Sequence, residues 1–257
     1  VAWDMTPPLP AAPPDPMTPH PFLALFAAAV ASAPPPPADP PVETGEVRFE
    51  SDDARHGVPD RFRLDPHTFR YEARLKYDLP RAGVEVLDVT FPSPVKSAHP
   101  ENDTVHCELF RPKKPGRFPA VVVLDILDGK QVVSRGEALW LAQHDIAALV
   151  VILPHYGPRR PPGSRDRLLS PDVERSVANV RQGVLDCRRA VAWLAARPGV
   201  DADRLGVVGT SLGSFVGGVL AAAEPRLGTA CLLLGGGGLV DAFWNHPRAA
   251  PFTPVLQ

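Results

Sequence analysis

Between residues 119 and 234, short β-branched runs alternate with longer stretches of helical spacing, and this alternation restricts the fold more than any other feature of the chain. Ala120-Val121-Val122-Val123-Leu124 is continuous and apolar, as a strand covered on both faces must be. A helix is predicted over residues 134–143, and the next apolar run covers 146–153, closed by Pro154. A longer helix is predicted over 171–196, with Ser170 as its cap and Pro171 in its first turn. Val173, Val177, Val180, Val184, Cys187, Val191 and Leu194 recur along it at helical spacing. Residues 205–209 read as a third strand, 212–223 as a helix of small residues, and 229–234 as a fourth strand that runs into Gly235-Gly236-Gly237-Gly238. Strands joined by helices through short links make a parallel sheet with right-handed crossovers. The expected fold class is therefore α/β, a mostly parallel sheet flanked by helices.

The flanks differ in composition. Of 33 prolines, 14 precede position 42, and Pro34-Pro35-Pro36-Pro37 favours extended polyproline geometry. Residues 1–45 are expected to form a Pro/Ala-rich leader that packs little onto the rest. Within it lies an apolar run, Phe22 to Val30, too short to span a bilayer. Two readings stand. If translation starts at Met17, the Met17–Ala31 segment is a signal peptide with Ala29-Val30-Ala31 as its cleavage site, and the product is secreted or periplasmic. Otherwise the segment is a greasy patch in a tail, and the protein is cytoplasmic. Residues 46–257 are expected to form one domain whose first part, 46–118, is a β-rich extension. Val84, Val86, Val89 and Phe91 suggest one strand there, and the alternation from Thr104 to Phe110 another.

Composition excludes several classes. In 257 residues, 27 basic side chains face 29 acidic ones, for a net charge of −2, so no basic field points to nucleic acid or an anionic membrane. Cys107, Cys187 and Cys231 form neither a disulfide framework nor a zinc-type CxxC pair, and each sits in an apolar or amphipathic segment, as a small buried hydrophobe does. No metal or cofactor is implied. Nothing in the sequence sets an oligomeric state.

Chemistry enters at Gly209-Thr210-Ser211-Leu212-Gly213. This is G-x-S-x-G between a buried strand, Val207-Val208, and a helix of small residues, the setting of a nucleophile elbow. A sharp turn there raises the serine hydroxyl above the sheet edge. Strand and helix then approach closely, which requires small residues two before and two after the serine. The helix dipole and the Leu212 N–H favour negative charge beside Ser211. A second oxyanion donor belongs on the loop after the strand at 120–124, where the Ile126 or the Leu127 N–H is the candidate. Asp125 and Asp128 in that loop oppose an oxyanion unless they are paired or point away.

At these residues the chain resembles the α/β-hydrolase superfamily over about residues 84–240. The stretch Val200-Asp201-Ala202-Asp203-Arg204-Leu205-Gly206-Val207-Val208-Gly209-Thr210-Ser211-Leu212-Gly213 is similar to the elbow of dienelactone-hydrolase-like and acetyl-xylan-esterase-like members. The resemblance implies a sheet of about eight core strands and a Ser–acid–His triad in that chain order, acting on a small-molecule ester without metal or cofactor. Many members carry His-Gly after the oxyanion strand, where this chain has Asp125-Ile126. Residues 229–234 correspond to about the sixth core strand, so the acid and base are expected beyond Gln257. In-chain candidates after Ser211 are Asp241 for the acid and His246 for the base; the other seven histidines precede the serine. His155 and Tyr156, at the carboxyl end of the 146–153 strand, are candidates to line the substrate pocket, with Arg159 and Arg160 beside them to attract an anion. The function expected is a serine hydrolase of ester bonds, with this fragment alone inactive. A prolyl-oligopeptidase-like peptidase and a non-catalytic binding module of the same fold are the alternatives.

Overall fold

A computed structural model describes residues 40–127, 129–164, 166–170 and 172–236. Eight strands form one sheet: β1 (Val42–Phe49), β2 (His67–Leu79), β3 (Val84–Pro92), β4 (Thr104–Pro112), β5 (Phe118–Leu124), β6 (Ala147–Val151), β7 (Val200–Thr210) and β8 (Leu227–Leu233). Three helices connect the later strands: α1 (Val132–Gln143), α2 (Val173–Ala195) and α3 (Leu212–Ala223). The strand order is β1-β2-β3-β4-β6-β5-β7-β8. Strands β6, β5, β7 and β8 pair in parallel, as the alternation of strand and helix requires. The amino-terminal strands are antiparallel, from β1 through β4, and β4 is antiparallel to β6.

Side-chain parity builds the layers. In β5, Ala120, Val122 and Leu124 face one core, together with Ala147, Leu149 and Val151 of β6 and with the buried faces of α2 and α3. Val123, Ala148 and Val150 face the opposite core with Ala138, Leu139 and Ala142 of α1. The β-branched run at 120–124 is thus apolar on both sides because helices cover both sides. β5 and β7 are neighbours, yet their following helices lie on opposite faces. This makes the carboxyl ends of β5 and β7 the topological switch point, the place where open α/β sheets bind ligands.

The amino-terminal extension is part of the sheet. β1 starts at Val42, within the segment read as leader, and Val42 to Gly45 pair with residues 71–74 of β2. The proline-rich stretch ends at Pro41, and once backbone N–H groups return, the chain can join a ladder. Arg188 of α2, fully buried, fastens this extension. It donates to both carboxylate oxygens of Asp53 (2.7 and 2.6 Å), to Phe62 O and to Glu224. Burial pushes the Asp53 carboxyl up, but hydrogen bonds from Arg188, Ser51 and the Leu64 N–H outweigh it and hold the group at about 2.

Three local expectations are corrected. The cap of α2 is Asp172, whose carboxylate accepts the Arg175 N–H at 3.0 Å; Ser170 instead meets Ser176. The apolar stripe of α2 is buried only in its second half, for Val173 and Val177 remain exposed in its first turns. Cys107 and Cys187 are buried, and burial pushes both thiols up, but Cys231 is exposed on β8, the last strand of the sheet among the described residues. Among the described residues no helix is long and apolar enough to cross a membrane. The proposed signal segment lies outside the described residues.

Candidate active site

Ser211 stands between β7 and α3 with φ 53° and ψ −112°. A non-glycine residue at positive φ is strained by roughly 1–3 kcal/mol and persists only where its surroundings over-determine it. They do so here. The Ser211 N–H donates to Leu233 O of β8 at 2.9 Å, and its carbonyl accepts from Ser214 N (2.9 Å) and Ser214 Oγ (2.6 Å). A Cβ at Gly209 would stand 2.2 Å from Gly213 O, and one at Gly213 would stand 2.2 Å from Leu124 O. Both glycines are therefore required by close backbone approach, as the motif implied. The helix that follows the serine is pressed onto the carboxyl end of β5.

That contact brings the oxyanion loop alongside. Leu124 pairs with Gly209, so the residues after Leu124 run beside Thr210 and Ser211. Asp125 is buried and turned toward α1. Its carboxylate accepts the Gln131 N–H (2.7 Å) and, more weakly, the Ser134 N–H (3.4 Å). It serves as the anchor for the helix start, and so meets the condition that it be paired away from an oxyanion. Burial raises its carboxyl, opposed by the hydrogen bonds of Ile126, Gln131 and Ser134. Ile126 and Leu127 follow Asp125 in this loop, and Leu127 is half exposed. Asp128 lies outside the described residues. Gln131, at φ 57°, ends the loop in a second strained turn.

A third strained residue, His155 at φ 66°, follows β6 at the same end of the sheet. His155 and Tyr156 were expected to line a pocket; both are buried, at 4% and 5% exposure, and belong to the packing under the loop. Asn179 donates its amide to Arg167 O and Leu168 O, which orients its carbonyl oxygen toward His155 Nε2 at 3.1 Å. His155 therefore carries its proton on Nε2, and burial lowers its basicity. Arg159 is not an anion trap either. It is wholly buried, paired with Asp186 at 2.7 Å and donating to Ile152 O and Asn102 O. The polar residues of this loop meet groups on other segments, because buried polar groups must be satisfied.

The described histidines are engaged away from the serine. His99 meets Asp166 at 3.0 Å, His155 meets Asn179, His144 meets Trp140 O and His56 meets Asp52 O. His67 and His106 sit on β2 and β4, on the far side of the sheet order from β7. Asp241 and His246 lie outside the described residues. Sequence reasoning missed one contact at the elbow. Thr210 Oγ1 donates to Glu137 Oε1 of α1 at 2.6 Å. A signal existed: Glu137 interrupts Gly136, Ala138 and Leu139, an otherwise small and apolar patch of helix.

No protein-family model matches the chain. It is 31% identical over 147 residues to a probable 2-oxo-3-(5-oxofuran-2-ylidene)propanoate lactonase of Bradyrhizobium sp., a match covering 57% of this chain and 56% of the relative. Among solved structures it superposes on the acetyl xylan esterase of Paenibacillus sp. R4 with a TM-score of 0.50 and 20% identity, covering 72% of this chain and 66% of that one. Acetyl xylan esterase 1 of Thermoanaerobacterium sp. JW/SL YS485 aligns with 91% of this chain and 71% of its own, with 17% identity and a TM-score of 0.47. The chain spans little more than half the length of the lactonase and about two thirds of the Paenibacillus esterase. The fold is the α/β-hydrolase fold, a mixed eight-stranded sheet flanked by helices.

Proposed function

We propose that this chain carries the nucleophile and oxyanion site of a serine hydrolase acting on ester or lactone bonds. Ser211 Oγ attacks the carbonyl carbon, and its proton passes to a histidine outside the described residues. The developing oxyanion is held by the Leu212 N–H at the start of α3 and by the Leu127 N–H, with Ile126 as the alternative second donor. The acid and base come from the chain beyond the sheet described, with Asp241 and His246 the first to test and residues past Gln257 the expected source. The histidine gives that proton to the departing alcohol oxygen as the C–O bond breaks, and water then attacks the acyl-enzyme, freeing the carboxylic acid and restoring the Ser211 hydroxyl.

The observation that carries this reading is Ser211 at φ 53°, locked between two glycines whose backbones touch neighbouring strand and helix. Nothing in packing alone requires a strained serine there; an unstrained turn joins a strand to a helix at lower cost. The similarity to a lactonase and the fold shared with an acetyl xylan esterase support the bond class.

The test uses the full gene product with p-nitrophenyl acetate, a small unsaturated lactone and a fluorophosphonate probe. Turnover and labelling that Ser211→Ala abolishes, with the fold intact by circular dichroism, are expected. A folded product inert to all three would leave a non-catalytic binding module of the same fold. Turnover of a prolyl anilide in preference to the esters would favour the peptidase alternative.

A further inference from the structure

One half-buried carboxyl beside the elbow, with one of its oxygens fully buried, takes no part in the proposed chemistry. Glu137 lies on α1, and its Oε1 accepts the Thr210 hydroxyl at 2.6 Å. Thr210 is the last residue of β7, 6% exposed, and immediately precedes the nucleophile. Parity explains the pairing. Val207 faces the α2/α3 core and Val208 the α1 core; Gly209 is therefore turned to α3, which presses on it, and Thr210 to α1. The elbow is thus gripped from both faces of the sheet: by the Gly209–Gly213 contact on one side and by the Thr210–Glu137 hydrogen bond on the other.

The same helix is tied to the oxyanion loop. Asp125, the first residue of that loop, anchors the α1 start through Gln131 N and Ser134 N. Glu137 sits less than one turn further along. A closed circuit runs from Asp125 to the head of α1, through Glu137 to Thr210, and from the adjoining elbow back to Leu124 and Asp125 through Gly213. One short stretch of helix sets both halves of the proposed site relative to each other.

Glu137 is a poor choice for structure alone. Its second oxygen, Oε2, is buried without a hydrogen-bond partner among the described residues, and burial, with Asp125 nearby, raises its carboxyl. A carboxyl with a buried, unmatched oxygen costs stability, and such groups cluster at functional sites. A methyl or amide side chain would fill this place at lower cost.

We infer that Glu137 is a positioning residue of the hydrolytic site, holding Thr210, and through it the Ser211 turn, in register with the oxyanion loop. The inference rests on the proposed serine-hydrolase reading. Glu137 touches no substrate. Its part is to keep the hydroxyl of Ser211 and the loop N–H groups within the narrow geometry that attack on a carbonyl needs, where small displacements cost large factors in rate.

The full gene product is assayed on p-nitrophenyl acetate as wild type and as Glu137→Ala, Glu137→Gln, Thr210→Val, the double variant Glu137→Ala/Thr210→Val, and Ser211→Ala. Glu137→Gln keeps an acceptor for the Thr210 hydroxyl and cannot ionise. The expected result is a fall in kcat of about tenfold or more for Glu137→Ala and for Thr210→Val, with KM changed by less than about twofold. The double variant is no slower than the slower single one, because both remove the same link. Glu137→Gln recovers kcat to within about threefold of wild type and keeps its pH profile free of any ionisation specific to Glu137. Wild-type kcat in both Glu137→Ala and Thr210→Val, alongside an inert Ser211→Ala, would overturn the positioning role and leave the hydrolase reading standing. So would losses that simply add in the double variant. If Ser211→Ala itself turns over at the wild-type rate, it is the hydrolase reading that fails. Should Glu137→Ala not fold, Thr210→Val and Glu137→Gln decide: slow and recovered, respectively, supports the role.

Discussion

Gly213 and Leu124 approach so closely that a methyl group on the glycine would stand 2.2 Å from the leucine carbonyl oxygen. Backbone on both sides leaves nothing that can move aside. Gly213→Ala is therefore expected to lift α3 off β5, to destabilise the protein by about 1–3 kcal/mol, and to reduce Ser211-dependent turnover to background. Gly209→Ala meets Gly213 O at the same distance and should behave alike. Gly218→Ala is the control, since its nearest neighbour would be Leu232 Cδ1 at 3.6 Å, ordinary contact. Urea midpoints and ester turnover of the three variants check this. An active, fully stable Gly213→Ala would show that the elbow is looser than its geometry implies.

Arg188 is a second point where one residue decides much. It is fully buried and joins Asp53 of the extension to Glu224 beyond α3. Removing Arg188 leaves the buried Asp53 carboxylate without its cation and Glu224 with Arg226 alone. Arg188→Ala is expected to cost about 3–5 kcal/mol, and Arg188→Met almost as much. Limited proteolysis should then cut first between residues 50 and 66, where the extension has lost its tie. Unchanged thermal midpoints for both variants would contradict the account.

Stability should also depend on pH in a defined direction. Burial lowers the basicity of His67, His106 and His155 below the ordinary value of 6.5. The unfolded chain then binds more protons than the folded one as pH falls, so stability is full above 6.5 and declines below it. His155→Gln should flatten part of that decline, because an amide can still meet Asn179 but does not titrate. Asp53 adds a separate loss. Its carboxyl is held at about 2 against 3.8 when unfolded, so its contribution, on the order of 2 kcal/mol, is present above 3.8 and lost toward pH 2. Denaturant titrations between pH 8 and 2.5 read both steps.

How much of this was legible in the residues depends on the range of the interactions. The alternating core from β5 to β8 follows from apolar runs alone, and the helix of small residues read over 212–223 is α3 to the residue. The elbow was readable because its glycines are demanded locally. The extension was readable in part: β3 and β4 follow from their apolar patterns, whereas β1 and β2 carry charged residues on an exposed face, among them Glu46, Arg70 and Glu72, and only pairing across the sheet reveals them as strands. Asp125 was read as a hazard and is an anchor, since its partners lie six and nine residues on and depend on the turn at Gln131. His155 and Arg159 sat at the right end of the right strand, but burial by Asn102, Asn179 and Asp186, each from a distant segment, gives them structural work.

The oxyanion assignment can be tested at a single atom. Leu127 and Ile126 are the two candidates for the second donor on the loop after β5. Replacing Leu127 with its α-hydroxy acid swaps that N–H for an oxygen and leaves the side chain alone. If the donor is Leu127, kcat should fall by about 10²–10³ with KM little changed, the loss typical of one oxyanion donor. The same replacement at Ile126 should be milder and act chiefly on the stability of the loop. The reverse ranking would move the second donor to Ile126.

The last prediction concerns the edge of the sheet and the source of the base. Among the described residues β8 ends the strand order, and Leu232, Leu233 and Leu234 are 45%, 44% and 84% exposed there. An apolar edge with unpaired backbone invites pairing with another strand. Residues 1–257 on their own are therefore expected to self-associate, and Leu233→Lys should shift them toward monomer in size-exclusion chromatography with light scattering. The same preparation should hydrolyse p-nitrophenyl acetate no faster than Ser211→Ala, because His56, His67, His99, His144 and His155 are bonded to other groups and a serine hydroxyl without a positioned base is a weak nucleophile. Robust turnover that Ser211→Ala removes would put the base inside this chain, and its loss in His246→Gln would then identify it. Turnover confined to the full gene product would assign the base to residues past Gln257.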